Sequence, residues 1–163
     1  MMTFKTSDAG IQLICAFEGY RNTAYPDVVG VWTIGYGTTR VDGVPVTKGM
    51  TCTEAQARGW LQTDVEQFEA VVNAIVPDTT TQYQFDACVC FAYNVGGNGF
   101  AGSTVAKKLR AGHASLITES NFTAWNKVRD SHGVLVESKG LTRRRKAEWQ
   151  LFSTGTVQAA LPF

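Results

Sequence analysis

Glu18, Asp27 and Thr33 fall within sixteen residues, in the run Phe17-Glu18-Gly19-Tyr20-Arg21, Tyr25-Pro26-Asp27, then Gly30-Val31-Trp32-Thr33-Ile34-Gly35-Tyr36-Gly37. Two carboxyl groups and a hydroxyl at such spacing suit the cleavage of a glycosidic bond. One carboxyl gives a proton to the leaving oxygen, and the other handles a water or the sugar carbon. A helix end can present the first and a tight hairpin the second, with the Thr33 hydroxyl orienting a water. Taken alone, two acids in a chain of this size are ordinary solvated surface.

The elements around these residues are legible from pattern. Thr6 or Ser7 can cap a first helix over about residues 7–18, in which Ile11, Ile14 and Cys15 recur at helical spacing. Gly19 is placed to end it, leaving Glu18 in the last turn. Residues 25 to 47 read as strands broken by turns at Pro26-Asp27, Gly30 and Asp42-Gly43. Alternation in Val31 to Ile34 puts Trp32 and Ile34 on one face and frees the Thr33 hydroxyl on the other.

Thr53-Glu54-Ala55-Gln56 has the form of a capping box, opening one helix over about residues 53–76 that Pro77 stops. At about 1.5 Å per residue such a helix is about 34 Å long. Thr79-Thr80-Thr81-Gln82 starts the next helix in the same way, and that helix runs to Gly96-Gly97. Shorter helical patterns follow near 103–110 and 114–128, and a last one over about 140–153. The reading is one α+β, mainly helical domain over 1–163. A small β lobe spans about 20–52, and a helical lobe without strands spans about 78–155 and includes the first helix.

The spacing of Glu18, Asp27 and Thr33, with Gly35-Tyr36-Gly37 after them, resembles the phage-type lysozymes, a glycoside hydrolase family. Two further blocks carry the resemblance: Phe91-Ala92-Tyr93-Asn94-Val95-Gly96 with Ser103-Thr104 and Lys107-Lys108-Leu109, and Gly140-Leu141-Thr142-Arg143-Arg144-Arg145 with Glu148 and Phe152. The resemblance implies a two-lobed fold with the saccharide in the cleft between lobes. It also implies an inverting muramidase in which Glu18 is the general acid and Asp27 and Thr33 position the attacking water. Counting back from Phe152 aligns Arg144 with the family's arginine that pairs with the catalytic glutamate, a role weighed against a purely structural ion pair. Phe91 and Ser103 match groove-lining positions, against the alternatives of core packing and helix capping. Where the family often has a histidine after the strand glycines, Thr38 and Thr39 stand here, which removes any histidine-based ion pair.

Composition narrows the alternatives. Apolar residues are 44%, charged residues 18% and net charge +1, which gives no global electrostatic case for nucleic acid or membrane binding. Arg143-Arg144-Arg145-Lys146 cannot form a single basic face on a helix and reads as solvated, with one or two arginines turned inward. Cys15, Cys52, Cys88 and Cys90 read as reduced structural thiols, and neither His113 nor His132 has metal-ligand spacing with them. No metal or cofactor is expected. No segment reaches the length of a membrane span or a signal peptide. The expectation is a monomer made in the host cytoplasm that reaches peptidoglycan once a holin, by family resemblance, has opened the membrane. A lytic transglycosylase and a non-catalytic wall-binding module are the rival readings.

Overall fold

The computed structural model describes residues 2–157. The chain forms two compact units, Met1–Leu13 with Phe68–Phe163, and Ile14–Gln67. Helix α1 (Asp8–Glu18) begins in the first and ends in the second.

In the Ile14–Gln67 unit, α1 is followed by β1 (Arg21–Pro26), β2 (Trp32–Gly35), β3 (Arg40–Val41), β4 (Val44–Pro45) and α2 (Glu54–Asp64). β1 pairs antiparallel with β2, and β3 with β4, as two separate ladders. The register of β1 on β2 shifts between Arg21 and Tyr25. Over that bulge the strand serves a second partner: Ala24 N–H donates to the Met50 carbonyl and Cys52 N–H to the Asn22 carbonyl, each at 2.9 Å. Ile14, Ile34, Tyr36, Val46, Ala57, Leu61 and Val65 form this unit's buried core. The Thr53–Gln56 capping box is present in both directions, as the sequence predicts.

The single helix expected over 53–76 is instead two, α2 and α3 (Glu66–Asn73), broken at Val65. Two side chains compete with the ladder there. The Thr63 hydroxyl bonds back to the Gly59 carbonyl, and the Gln67 amide takes the Asp64 carbonyl, both at 3.4 Å. Such back-bonding bends helices.

The other unit is mostly helical: α4 (Gln82–Val95), α5 (Gly97–Ala101), α6 (Thr104–Arg110), a 3-10 turn Ala114–Leu116, α7 (Glu119–Thr123) and α8 (Lys139–Thr154). α4 and α8 make its most extensive packing. The second full capping box opens α4 two residues later than the Thr79–Gln82 run suggests, at Thr81 with Gln84. Ser7 gives its hydroxyl to Asp86 rather than to the start of α1. The expectation of a strand-free lobe fails: β5 (Lys127–Arg129) and β6 (Leu135–Glu137) form an antiparallel hairpin between the helical pattern expected near 114–128 and the last helix. Both strands are exposed and three residues long, so neither carries the alternation that reveals a half-buried strand.

Two arginines do turn inward. Arg144 is 4% exposed, and Arg145 and Glu148 are fully buried. Glu148 Oε1 accepts from Arg144 Nε at 3.2 Å and from Arg145 at 2.8 Å, while the Cys90 thiol donates to it at 3.3 Å. Arg145 Nε lies 2.7 Å from Oε2, an ion pair by distance without hydrogen-bond alignment. The Arg145 guanidinium also covers the Phe91 ring at 4.8 Å. One carboxylate thus serves two buried cations. Glu148→Gln is expected to destabilise the protein by about 3–5 kcal/mol, the usual penalty for breaking a buried pair from one side. Urea unfolding reads it, and a loss below about 1 kcal/mol would contradict this view of the cluster.

Candidate active site

Glu18 is the last residue of α1 and is half-buried. The helix stops because Gly19 turns to φ 71°, a left-handed conformation that glycine adopts without strain, while its N–H closes on the Cys15 carbonyl at 3.0 Å. Two residues later β1 begins, and it ends one residue before Asp27. Tyr25 and Thr33 are directly opposite in the β1–β2 ladder, so their side chains share a face of the hairpin. Glu18, Asp27 and Thr33 therefore belong to one compact unit and are joined by a single strand and its turn.

Asp27 builds that turn. Its N–H donates to the Val31 carbonyl at 2.9 Å, and Gly30 N–H returns to the Asp27 carbonyl at 3.0 Å. Its Oδ1 accepts from Val29 N–H at 2.9 Å and Val31 N–H at 2.8 Å. Among the described residues Oδ2 takes no hydrogen bond, so one carboxylate oxygen is structural and the other is open.

The β5–β6 turn repeats the construction. Asp130 Oδ1 accepts from His132 and Val134 N–H at 2.8 and 2.9 Å, Asp130 N–H donates to the Val134 carbonyl, and Gly133 closes back on Asp130. Asp-x-x-Gly-Val is present in both places, at 27–31 and 130–134. The turn alone explains an aspartate there; the neighbouring Glu18 and Thr33 distinguish the first copy.

Thr33 differs from the expected free hydroxyl. It is 5% exposed and donates to the Val31 carbonyl at 3.0 Å. Both faces of β2 are covered, since Ile34 on one and Thr33 on the other are both buried. With its proton committed, Oγ1 can only accept from a further partner.

Beneath these residues Tyr36 donates to Glu54 at 2.8 Å, and burial, followed by that bond, pushes its phenol well above the usual tyrosine range. Burial likewise raises the Cys15 thiol, against the opposing pull of Arg58. In place of a histidine ion pair, Thr38 donates to Asp64 at 2.6 Å. Burial raises the Asp64 carboxyl, and the Thr38 bond partly offsets the rise.

The supporting residues lie in the other unit. Arg144 donates to Glu148 and, at 3.2 Å, to the Cys90 carbonyl. Phe91 is fully buried and packs against Phe100, Phe122 and Trp125. Ser103 caps α6, accepting from Ala106 N–H at 3.1 Å and donating to the Phe100 carbonyl at 2.6 Å. Sequence reasoning assigned nothing to Arg21, whose guanidinium sits 4.2 Å over the Tyr25 ring. The four-residue spacing of a cation and an aromatic was the available signal.

A family model described as Phage lysozyme matches residues 15–148. Over 148 residues the chain is 35% identical to an endolysin of Acyrthosiphon pisum secondary endosymbiont phage 1, spanning 91% of this chain and 97% of that one. An endolysin of Bacillus phage PZA is 40% identical over 152 residues, covering 92% of this chain but 55% of the relative, so the chain spans about half of that protein. Among solved structures, an endolysin from Escherichia coli O157:H7 phage FAHEc1 superposes with a TM-score of 0.88 at 39% identity, covering 96% of this chain and 98% of that one. The chain belongs to the phage lysozyme family, which makes it a glycoside hydrolase of the endolysin kind.

The two aspartate turns separate structure from chemistry. Asp27→Ala and Asp130→Ala should each cost about 1–2 kcal/mol, since each leaves two backbone N–H groups without their acceptor. Asp27→Asn should cost less than half of that, because the amide oxygen can replace Oδ1. Chemical denaturation of the three variants checks the pattern, and an Asp27→Asn loss equal to that of Asp27→Ala would contradict it.

Proposed function

We propose that the protein is an inverting muramidase, hydrolysing the β-1,4 bond between N-acetylmuramic acid and N-acetylglucosamine in bacterial peptidoglycan. The observation that carries this reading is the open Oδ2 of Asp27, in a turn whose geometry is secured by Oδ1, on the hairpin that also holds Thr33. Glu18, as the general acid, gives a proton to the leaving glycosidic oxygen. A water donates one hydrogen to Asp27 Oδ2 and the other to Thr33 Oγ1. Its lone pairs are then left to attack the anomeric carbon. A threonine that has already spent its proton on Val31 suits that task, because it can only accept. Side chains and water carry both proton transfers, so no cofactor enters the proposal.

Arg144 enters as a supporting cation and Phe91 and Ser103 as supports of groove shape: one packs the aromatic core, the other fixes the start of α6. No helix among the described residues is long and apolar enough to cross a membrane. The apolar stretch Ile11 to Phe17 lies within α1, the helix that ends at Glu18, so it cannot be spent as an anchor without displacing the proposed acid. The protein acts as a monomer, accumulates in the host cytoplasm and reaches the wall when a holin opens the membrane.

Glu18→Gln keeps the side-chain shape but has no proton to give. Its release of reducing muramic ends from purified sacculi should fall by at least about 10². Mass spectrometry of released muropeptides checks it. Activity above about a tenth of wild type would remove Glu18 as the acid, and a 1,6-anhydro end from the wild-type protein would point to transglycosylation.

A further inference from the structure

β1 carries more than the connection between Glu18 and Asp27. A cavity of about 490 Å³ is lined along this strand by Tyr20, Arg21, Asn22, Thr23, Ala24 and Tyr25. Its lining contains one cation and no acid. The Arg21 guanidinium lies 4.2 Å from the centroid of the Tyr25 ring, and no carboxylate pairs with it among the described residues. The stacking spends one face of the planar group and leaves its N–H edge available. A flat guanidinium fixed on an aromatic ring is pre-organised for two parallel bonds to a carboxylate.

The other lining groups suit a sugar or a peptide. Thr23 Oγ1 donates to the Asn22 amide oxygen at 3.2 Å, which leaves the Asn22 amide nitrogen as a donor. Tyr20 is 36% exposed, and its hydroxyl is tied to the Cys52 carbonyl at 2.8 Å, which fixes the ring. Because Tyr25 is opposite Thr33 in the ladder, the Arg21–Tyr25 stack adjoins the proposed water-holding pair on the same hairpin.

We infer that Arg21, held on Tyr25, is a specificity-determining residue that binds a carboxylate of the peptide-bearing muramic acid unit in this cavity. The inference rests on the muramidase reading and names the substrate feature that reading leaves open. A neutral glycan backbone offers this guanidinium only uncharged acceptors, whereas the stem peptide attached to muramic acid carries free carboxylates that give charge-assisted, two-point bonds. The bond made is a charge-assisted hydrogen bond, and it changes affinity without taking part in the proton transfers.

The test measures equilibrium binding of Glu18→Gln protein to sacculi stripped of attached polymers, either native or with their carboxyls converted to amides. Amidation should weaken binding by about tenfold, the loss of one charge-assisted pair. Adding Arg21→Gln should weaken binding to native sacculi by the same factor and abolish the difference between the two substrates. Arg21→Lys should recover part of the loss, because charge remains but the flat stacked fork does not. Lys48→Gln, an exposed cation of the same unit outside the cavity, should change binding less than about twofold. Undiminished discrimination in Arg21→Gln, or an equal loss in Lys48→Gln, would overturn the inference. Since binding is read in a variant without the proposed acid, it stands apart from the muramidase reading. That reading fails separately, if wild-type protein releases no reducing ends.

Discussion

The two backbone N–H groups that converge on Asp27 Oδ1 are the constraint on which the proposed chemistry depends. They fix the carboxylate in the turn that closes β1 onto β2, and they leave its second oxygen open. A carboxylate on a mobile loop would have to be ordered each time substrate binds. Here folding has already met that cost, because the same bonds that hold the aspartate also set the register of Tyr25 opposite Thr33. The proposed water-holding geometry is thus a by-product of hairpin formation. It needs no support beyond the strand pair, the left-handed Gly30 and the α1 end just upstream.

The second aspartate turn shows how little the local motif decides. Asp130 reproduces every bond of the Asp27 turn, yet its hairpin is exposed on both strands and has Ser131 and His132 where the first has two valines. An Asp-x-x-Gly-Val turn is a way to close a hairpin, and it gains a chemical role only beside a second acid and an acceptor hydroxyl. The cluster of Arg144, Arg145, Glu148 and Cys90 gives a similar lesson for cations. Three arginines are adjacent in sequence, and helical rotation, as expected, turns two of them inward to a buried carboxylate and leaves Arg143 in solvent.

Much of the fold was legible because it is written in local rules. The first capping box stands where Thr53 announces it, α1 ends at the glycine after Glu18, and α8 begins and ends within a residue of its expected limits, while the second box falls two residues after its expected place. What failed was set by competition between weak local preferences. The break at Val65 comes from side chains of Thr63 and Gln67 taking backbone carbonyls, which no hydrophobic period reports. The β5–β6 hairpin is too short and too exposed to show alternation, though its turn residues repeat those already recognised at Asp27. At the candidate site, residue types and spacing put forward Glu18, Asp27 and Thr33, which the fold places in one compact unit. The hydroxyl's commitment to Val31 and the Arg21–Tyr25 stack depend on side-chain direction, which spacing alone does not fix.

The central claim is that Asp27 and Thr33 hold a water that attacks from the face opposite the leaving group, without a covalent enzyme intermediate. Proton NMR of the product during the first minutes of hydrolysis, before mutarotation, tests it most directly. Inversion predicts that the new reducing N-acetylmuramic acid ends appear first in the α configuration. Initial formation of the β anomer would mean retention, and with it a covalent or otherwise double-displacement route that this account excludes.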